Sequence, residues 1–198
     1  MSTDSRASMV RSAASLIRSR GVSATSLTDV LSDSGAPRGS IYHHFPDGKR
    51  QLAEDAISWT SERVLAHLRA GAPARPSDVL ERFIAMWRQV VVTSGGTAGC
   101  VVAGVAIDTG PDERDLMDVV RATFRSWAGV LAEELEAAGV PSRRAVPIAL
   151  ATLAGMEGAL ILCRAEGKVK PLDTVAEELM RLLPSKKPGR RKRSVHST

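Results

Sequence analysis

Apolar residues recur at helical spacing along almost the whole chain, and this periodicity limits the fold more than any other feature. The longest stripe, within about residues 112–138, consists of Leu116, Val119, Val120, Phe124, Trp127, Val130, Leu131 and Leu135. Such a stripe is typical of an amphipathic helix that packs on a core. Apart from an ambiguous segment at 99–107, no stretch between turn signals shows the alternation of a half-buried strand. The pattern predicts an all-α fold.

Turn and capping signals divide the chain. Helices are predicted at about residues 4–20, 37–44, 49–69, 77–92, 112–138, 142–166 and 172–183, with a helix or turn at 99–108. Thr25 or Ser26 is expected to cap one further short helix, and Asp47 and Ser77 to cap the fourth and fifth. The segment at 71–76 contains Gly and two Pro residues and is predicted to be a linker. We assign residues 1–50 to one domain, 51–184 to a helical second domain and 185–198 to a disordered basic tail.

Positive charge is concentrated at the two ends of the chain. Residues 1–50 carry seven Lys or Arg against four Asp or Glu, and residues 185–198 carry six against none. The segment 51–184 is acidic, with fourteen against eighteen. Clustered Lys and Arg are what binding to a polyanion requires, although basic ends also serve solubility alone.

The sequence argues against several classes of protein. Cys100 and Cys163 are far apart and fit neither a metal nor a redox spacing, so we expect two buried thiols in a reducing compartment. No secretory signal is visible, and the apolar run at 100–107 is too short to cross a bilayer. No catalytic triad, phosphate loop or carboxylate pair stands out. We expect a cytoplasmic protein with no membrane segment, cofactor or metal.

The segment Thr25–Phe45 carries the clearest functional signal. Its sequence, TSLTDVLSDSGAPRGSIYHHF, predicts two short helices joined by a Gly-containing turn, which is the arrangement of a helix-turn-helix. The second helix would place Arg38, Ser40, Tyr42 and His43 outward, all of which can contact phosphates or base edges. An ordinary helical hairpin in an all-α protein fits the spacing equally well.

The run from Arg11 to Leu52 resembles the DNA-binding domain of the TetR family. The likeness rests on an Ala-rich first helix, the entry Gly21-Val-Ser-Ala-Thr-Ser-Leu27, the closing Gly39-Ser-Ile-Tyr-His-His-Phe45, and the following Lys49. The segment from Phe45 to Lys49 is one residue longer than the usual family spacing. This insertion, together with the apolar segment that starts at Gly99-Cys100, is similar to the LmrA/YxaF-like subgroup.

The resemblance implies a role for each matching residue. Thr25 and Ser26 would meet a phosphate at a helix N-terminus, and Lys49 a second phosphate. Arg38 and Gly39 would read base edges, while Ser40, Tyr42 and His43 would contact the backbone and bases. His44 either joins them or packs beneath the helix. His43 and His44 are adjacent and point apart, so we expect no metal site there.

For the second domain the resemblance implies an effector pocket and a dimer. The residues assigned to the pocket are aromatic or thioether side chains, although core packing explains any single one of them equally well: Trp59, Phe83, Trp87, Phe124, Trp127 and Met156. The residues assigned to the dimer interface come from the small-residue helix and the last helix, with intramolecular packing as the alternative: Leu153, Gly155, Gly158, Leu160 and Leu179. The basic tail would either reach a flanking minor groove or remain solvated.

The expected function is therefore that of a homodimeric, ligand-responsive transcriptional repressor. It would bind double-stranded DNA at a palindromic operator with half-sites roughly 34–36 Å apart, and a small apolar or aromatic effector would release it. Alternatives within the same fold are an activator and a ligand-independent DNA-binding protein. An all-α enzyme is the rival from another class; we expect Glu157 in a pocket rather than in catalysis.

Overall fold

The computed structural model describes residues 2–37, 39–110 and 113–184, with side chains from residue 5 onward. Within these residues the chain forms α-helices only, which confirms the all-α prediction. The helices are α1 (Ser2–Arg20), α2 (Leu27–Ser34), α3 (Ser40–His44), α4 (Gly48–Leu68), α5 (Pro76–Thr93), α6 (Val101–Asp108), α7 (Arg114–Ala137), α8 (Ser142–Glu166) and α9 (Lys170–Arg181). The ambiguous segment at 99–108 is thus helical from Val101 onward.

The helices α1, α2 and α3 form a small head around a shared apolar core. Val30 of α2 and Ile41 of α3 are buried, as is Phe45, which directly follows α3. They pack in the same core as Ile17 of α1 and Leu52 of α4. Loss of the packing of one large buried side chain costs several kcal/mol. A change in the angle between α2 and α3 would disrupt these contacts, so the core keeps the two helices in a fixed arrangement.

Two of the three predicted helix caps differ from the expectation. Ser26 caps α2 in a reciprocal capping box with Asp29, as predicted. Asp47 makes no capping hydrogen bond, and its carboxylate lies instead 3.7 Å from Arg50. Ser77 is inside α5, because the backbone N–H of Arg75 donates to Asp78 and so moves the N-cap two residues earlier.

The long helix α4 joins the head to the rest of the molecule. It runs without interruption from the head, where it packs on α1, into the body, where it packs on α5, α6 and α7. A second connection comes from α6, which packs against α1; the N–H of Gly99 just before it donates to the Arg18 carbonyl at 2.8 Å. Displacements in the body can therefore reach the head through α4 and α6.

Gly21 ends α1 in a conformation that fixes how α6 meets the head. Its φ is +86°, and the backbone N–H of the nearby Ser23 donates to the Asp108 carboxylate at the end of α6, 3.1 Å away. A β-carbon at position 21 would fall on that carboxylate. The sequence assigned Gly21 only a capping role, whereas the structure adds this close contact with α6.

Gly21→Ala is expected to destabilise the protein by about 1–3 kcal/mol, because it combines a strained φ with the displacement of Asp108. Urea unfolding at fixed protein concentration measures the loss. Gly139→Ala is the matched control, since Gly139 has a φ of +94° but open space where a β-carbon would stand. Equal losses in the two variants would show that the Asp108 contact contributes nothing.

Candidate nucleic-acid interface and internal cavity

The short helix α3 presents its polar side chains to solvent. Tyr42 is 70% exposed and His43 is also exposed, whereas Ile41 between Ser40 and Tyr42 is buried in the head core. Gly39 has no atom within 4 Å of the place where a β-carbon would stand, and its φ of −76° needs no glycine. A glycine here leaves room for something outside the chain, which is the room that close approach to a duplex requires.

The remaining α3 residues are partly engaged within the head. The Ser40 hydroxyl donates to the carbonyl of Pro37 at 2.6 Å, although its oxygen can still accept a further hydrogen bond. His44 is half-buried with its ring edge-on to Phe45, which favours packing beneath the helix over contact with DNA. Arg38 and the tail at 185–198 lie outside the described residues, so their predicted roles stay predictions.

The N-terminus of α2 differs from the expectation at Thr25. This residue is 3% exposed, and its hydroxyl donates to the carbonyl of Gly21 at 2.7 Å. The prediction that the Thr25 side chain meets a phosphate is therefore wrong. The hydrogen bond of Thr25 closes the turn after α1, and the next residue, Ser26, caps α2.

Ser26 is exposed but shares its site with an acidic partner. Its hydroxyl donates to Asp29 at 2.7 Å, and this hydrogen bond is the main cause that lowers the pKa of Asp29. Arg20 lies 2.9 Å from the same carboxylate. Lys49 is exposed at the start of α4, and its Nζ donates to the carbonyl of Ser23 at 3.0 Å. A phosphate at this position would meet Arg20 and Lys49 as well as the helix N-terminus.

A cavity of about 380 Å³, partly open to solvent, lies where the head meets the body. Its walls come from α1, α4, α5 and the segment leading into α6. The lining residues are Arg11, Ala14, Ser15, Arg18, Trp59, Thr60, Arg63, Val64, His67, Met86, Trp87, Val90, Gly99 and Val101. The volume is within the range of small-molecule sites in proteins, and the mixture of aromatic, apolar and polar groups is typical of them.

The cavity contains only two of the six residues predicted for it, Trp59 and Trp87. Phe83, Trp127 and Met156 are completely buried, and Phe124 packs edge-on to Trp127 with 5.8 Å between ring centres. These four residues lie outside this cavity, and their assignment to an effector pocket stays a prediction. The rings fill the space between α5 and α7, and the Trp127 indole N–H donates to Ser61 of α4 at 3.0 Å, so they form the core beside the cavity.

The basic groups of the lining were missed at the sequence level. Arg11 and Arg18 are seven residues apart on α1, and Arg63 and His67 are four apart on α4, so each pair shares one helix face. This spacing could have predicted a basic face on each of the two helices. Which faces would meet across a cavity depends on how α1 and α4 pack, and the sequence pattern does not give that.

The residues predicted for a dimer interface lie mostly inside the chain. Leu153, Leu160 and Leu179 are buried, and a β-carbon at Gly155 would lie 3.3 Å from the Leu179 side chain. The intramolecular alternative is therefore correct for these four residues, because α9 packs on the Gly155 side of α8. Gly158 alone is exposed, on the side of α8 that lies opposite its buried face.

That opposite side of α8, which we call the outer face, is apolar and uncovered in the single chain. It consists of Val146, Leu150, Ala151, Ala154, Gly158, Ile161 and Leu162, of which the four larger side chains are each half or more exposed. By length and composition alone α8 could cross a membrane. However, it packs on α5, α7 and α9 along its inner face, so the outer face is typical of a contact surface for another protein.

A crevice between α1, α6 and α8 contains one buried carboxyl group. The carboxyl end of Glu157 is buried beside Cys100, and its Oε1 has no hydrogen-bond partner among the described residues. Burial raises the pKa of Glu157 to about 7 and raises the pKa of the Cys100 thiol well above its ordinary value. Arg18, Arg20, Asp108 and Arg164 line the same crevice. A thiol with a raised pKa is unreactive, so Cys100 is a structural residue.

The fold and the exposed α3 together define a helix-turn-helix regulator. Two family models match the chain: "Bacterial regulatory proteins, tetR family" over residues 10–56, and "Transcriptional regulator LmrA/YxaF-like, C-terminal domain" over residues 76–178. The chain therefore belongs to the TetR family of bacterial transcription regulators, with an LmrA/YxaF-like C-terminal domain. It is a non-enzymatic transcription regulator with a DNA-binding helix-turn-helix domain.

Individual relatives cover nearly the whole chain. An HTH-type transcriptional regulator of Mycobacterium tuberculosis is 37% identical over 190 residues, which is 93% of this chain and 97% of that protein. YxaF of Bacillus subtilis is 30% identical and covers 92% of this chain and 97% of its own length. The crystal structure of a TetR regulatory protein from Rhodobacter sphaeroides superposes with a TM-score of 0.80 at 22% identity, covering 90% of this chain and 98% of its own. This last likeness supports the fold alone.

Proposed function

We propose that the chain is a cytoplasmic, ligand-responsive transcriptional repressor that binds a palindromic operator as a homodimer. The observation that carries the proposal is an exposed recognition surface on α3, held on a buried core, in a molecule that also has a cavity between head and body. Gly39, Ser40, Tyr42 and His43 are the proposed base and backbone contacts, together with Arg38 from the sequence prediction. Ser26 and Lys49 are the proposed phosphate contacts.

Homodimerisation is supported by the outer face of α8. A dimer with two-fold symmetry needs one patch that is complementary to itself, and a continuous apolar helix face can meet that need. The exposed Ile107 of α6 borders the same region, because it lines the Glu157 crevice together with Ile161. Two copies joined here would carry two α3 helices, as a palindromic site requires.

Ligand control is supported by the position of the cavity. Arg11 and Arg18 belong to α1 of the head, whereas Trp87 and Val101 belong to the body. A ligand that binds one arrangement of α1 against α4 and α6 more tightly will shift the population of head orientations toward it. The hydrogen bond from Ser23 to Asp108 would pass a movement of α6 to the loop before α2. Repression is the sign that the family resemblance implies: the unliganded dimer would cover a promoter and free it when ligand binds.

Tyr42→Ala is expected to lower operator affinity by about tenfold or more, because it removes contacts with the duplex from both protomers. Protein stability should not change, since the side chain is 70% exposed. Val92→Ala is a matched control, because Val92 is an exposed apolar residue on α5 in the body. Gel shifts with operator DNA against excess random DNA provide the measurement.

The same gel shifts separate the alternatives. A DNA-packaging protein would bind both DNAs equally, whereas the proposed regulator would bind the operator preferentially. Full operator affinity in both Tyr42→Ala and Arg38→Ala would contradict the proposed recognition surface.

A further inference from the structure

We propose that the cavity binds an amphiphilic organic anion, with an aromatic or branched apolar body beside Trp59, Met86, Trp87 and Val90 and its negative group at Arg18. The inference rests on the proposed function, because it assigns a ligand class to the effector site. It also narrows the expectation from sequence, which was an apolar or aromatic effector without a stated charge.

The lining charge of the cavity has one sign. Arg11, Arg18 and Arg63 line it together with His67, and no acidic side chain occurs among the lining residues that the structure describes. Within the same described part of the chain, none of the three arginines forms an ion pair with a carboxylate. Cations that converge on a concave space without counter-charges raise the local concentration of anions.

Arg18 is the cation best placed to hold the anion. It is half-buried, and burial lowers the pKa of its guanidinium group. A charged group that is partly removed from water and has no partner is unfavourable. A carboxylate or similar group beside Arg18 would replace the hydrogen bonds and electrostatic stabilisation that water no longer provides. Its planar donor set also suits two-point contact with a carboxylate.

A second donor without a partner in the described part of the chain, the indole N–H of Trp87, lies in the wall of the cavity. Trp87 lines the cavity and is 4% exposed, yet its indole N–H is buried without a hydrogen-bond partner in the described residues. Among other polar lining groups, the Thr60 hydroxyl already donates to Ala56, and His67 Nε2 lies 3.0 Å from the Arg82 carbonyl oxygen. The arginines are therefore the donors that the cavity offers directly, and a ligand acceptor would reach the buried Trp87 N–H only after a shift of that side chain.

The remaining lining residues indicate the kind of apolar group that the ligand carries. The Arg63 guanidinium carbon lies 5.0 Å from the centre of the Trp59 ring, so this side chain can cover an aromatic guest as well as attract its charge. Met86, Trp87 and Val90 supply apolar area from α5. A cavity of about 380 Å³ is at the small end of ligand sites, which suits a body of two or three rings.

Matched pairs of carboxylates and neutral amides test the charge directly. We would titrate full-length protein with naphthoate and naphthamide, and with biphenyl carboxylate and biphenyl carboxamide, by calorimetry and by tryptophan fluorescence. Each carboxylate is expected to bind about tenfold or more tightly than its amide, as is typical of a gained charge-assisted hydrogen bond. The same carboxylate should release operator DNA at concentrations that match its binding.

Three glutamine variants locate the anion. Arg18→Gln should remove the preference for carboxylates, and Arg63→Gln, which changes an exposed residue of the opposite wall, should reduce it. Arg125→Gln is the matched control, since Arg125 is exposed on α7 and does not line the cavity. Unfolding midpoints and operator binding without ligand show whether each variant is folded.

The outcomes separate this inference from the proposed function. If the amides bind as tightly as the acids and release DNA, ligand control stands and the anion assignment is wrong. If Arg18→Gln loses operator affinity but keeps the carboxylate preference, Arg18 contacts DNA rather than the ligand, and the assignment is again wrong. If neither member of either pair binds at millimolar concentration, the anion site is refuted, while operator binding still tests the proposed function by itself.

Discussion

Leu150→Glu is expected to convert the proposed dimer into monomers and to lower operator affinity by about two orders of magnitude or more. Leu150 is 59% exposed at the outer face of α8, so the variant should fold as a monomer. In a symmetric dimer the substitution would place a carboxylate from each protomer in the same apolar interface, where desolvation of an unpaired charge is costly. A monomer holds only one α3 and loses the gain from binding two half-sites together.

Sedimentation velocity and gel shifts measure the two effects of Leu150→Glu. Ser126→Glu is the matched control, because it adds the same charge at an exposed position of α7. Ile161→Glu, eleven residues further along the outer face, should behave like Leu150→Glu. A dimer that survives both outer-face substitutions would show that the chains associate elsewhere.

Glu157→Gln is expected to stabilise the protein at pH 8 by about 3 kcal/mol and to change little at pH 5. Burial raises the pKa of Glu157 to about 7, so the folded state binds this proton more tightly than the unfolded state does. Its contribution to the free energy of unfolding is therefore greatest below about pH 4.5. The contribution falls as the pH rises toward 7 and stays low above it, and the amide does not undergo this loss.

Urea unfolding of both proteins at fixed concentration, at pH 5 and at pH 8, measures the difference. Glu133→Gln is the matched control on the exposed side of α7. A gain at pH 5 that equals the gain at pH 8 would mean that Glu157 stays ionised in the folded protein, with its charge satisfied in the crevice.

The fold could be predicted from the sequence because helical periodicity and turn signals act locally. The predicted start of α8 agrees with the structure, and that of α5 differs by one residue. Of the two residues predicted as alternatives for the cap of α2, Thr25 and Ser26, the structure has Ser26. Caps were harder to predict where several polar residues compete for the N-cap position. At the start of α5 the Arg75 side chain contacts Asp78 at 2.7 Å, which favours a helix start before Ser77.

The candidate sites could be predicted only in part, since they depend on which helix faces meet. In α8 almost every position is apolar or small, so the pattern cannot tell the face that packs on α9 from the face that stays exposed. For this reason Leu153, predicted for the dimer interface, is buried within the chain, whereas Leu150 is exposed. The same applies to Trp59 and Trp127: both are aromatic residues on long helices, but only Trp59 borders a gap in the packing. In α3, by contrast, a resemblance of sequence pointed directly to the exposed Tyr42.

In the proposed function, two copies of α3 read one palindromic site. Selection of DNA fragments by the purified full-length protein, followed by sequencing, tests it most directly. Two inverted half-sites are expected, with centres that lie about 10 base pairs, or a multiple of that helical repeat, apart. Fragments that share no inverted repeat, or bound fragments that the Tyr42→Ala protein selects equally well, would contradict it.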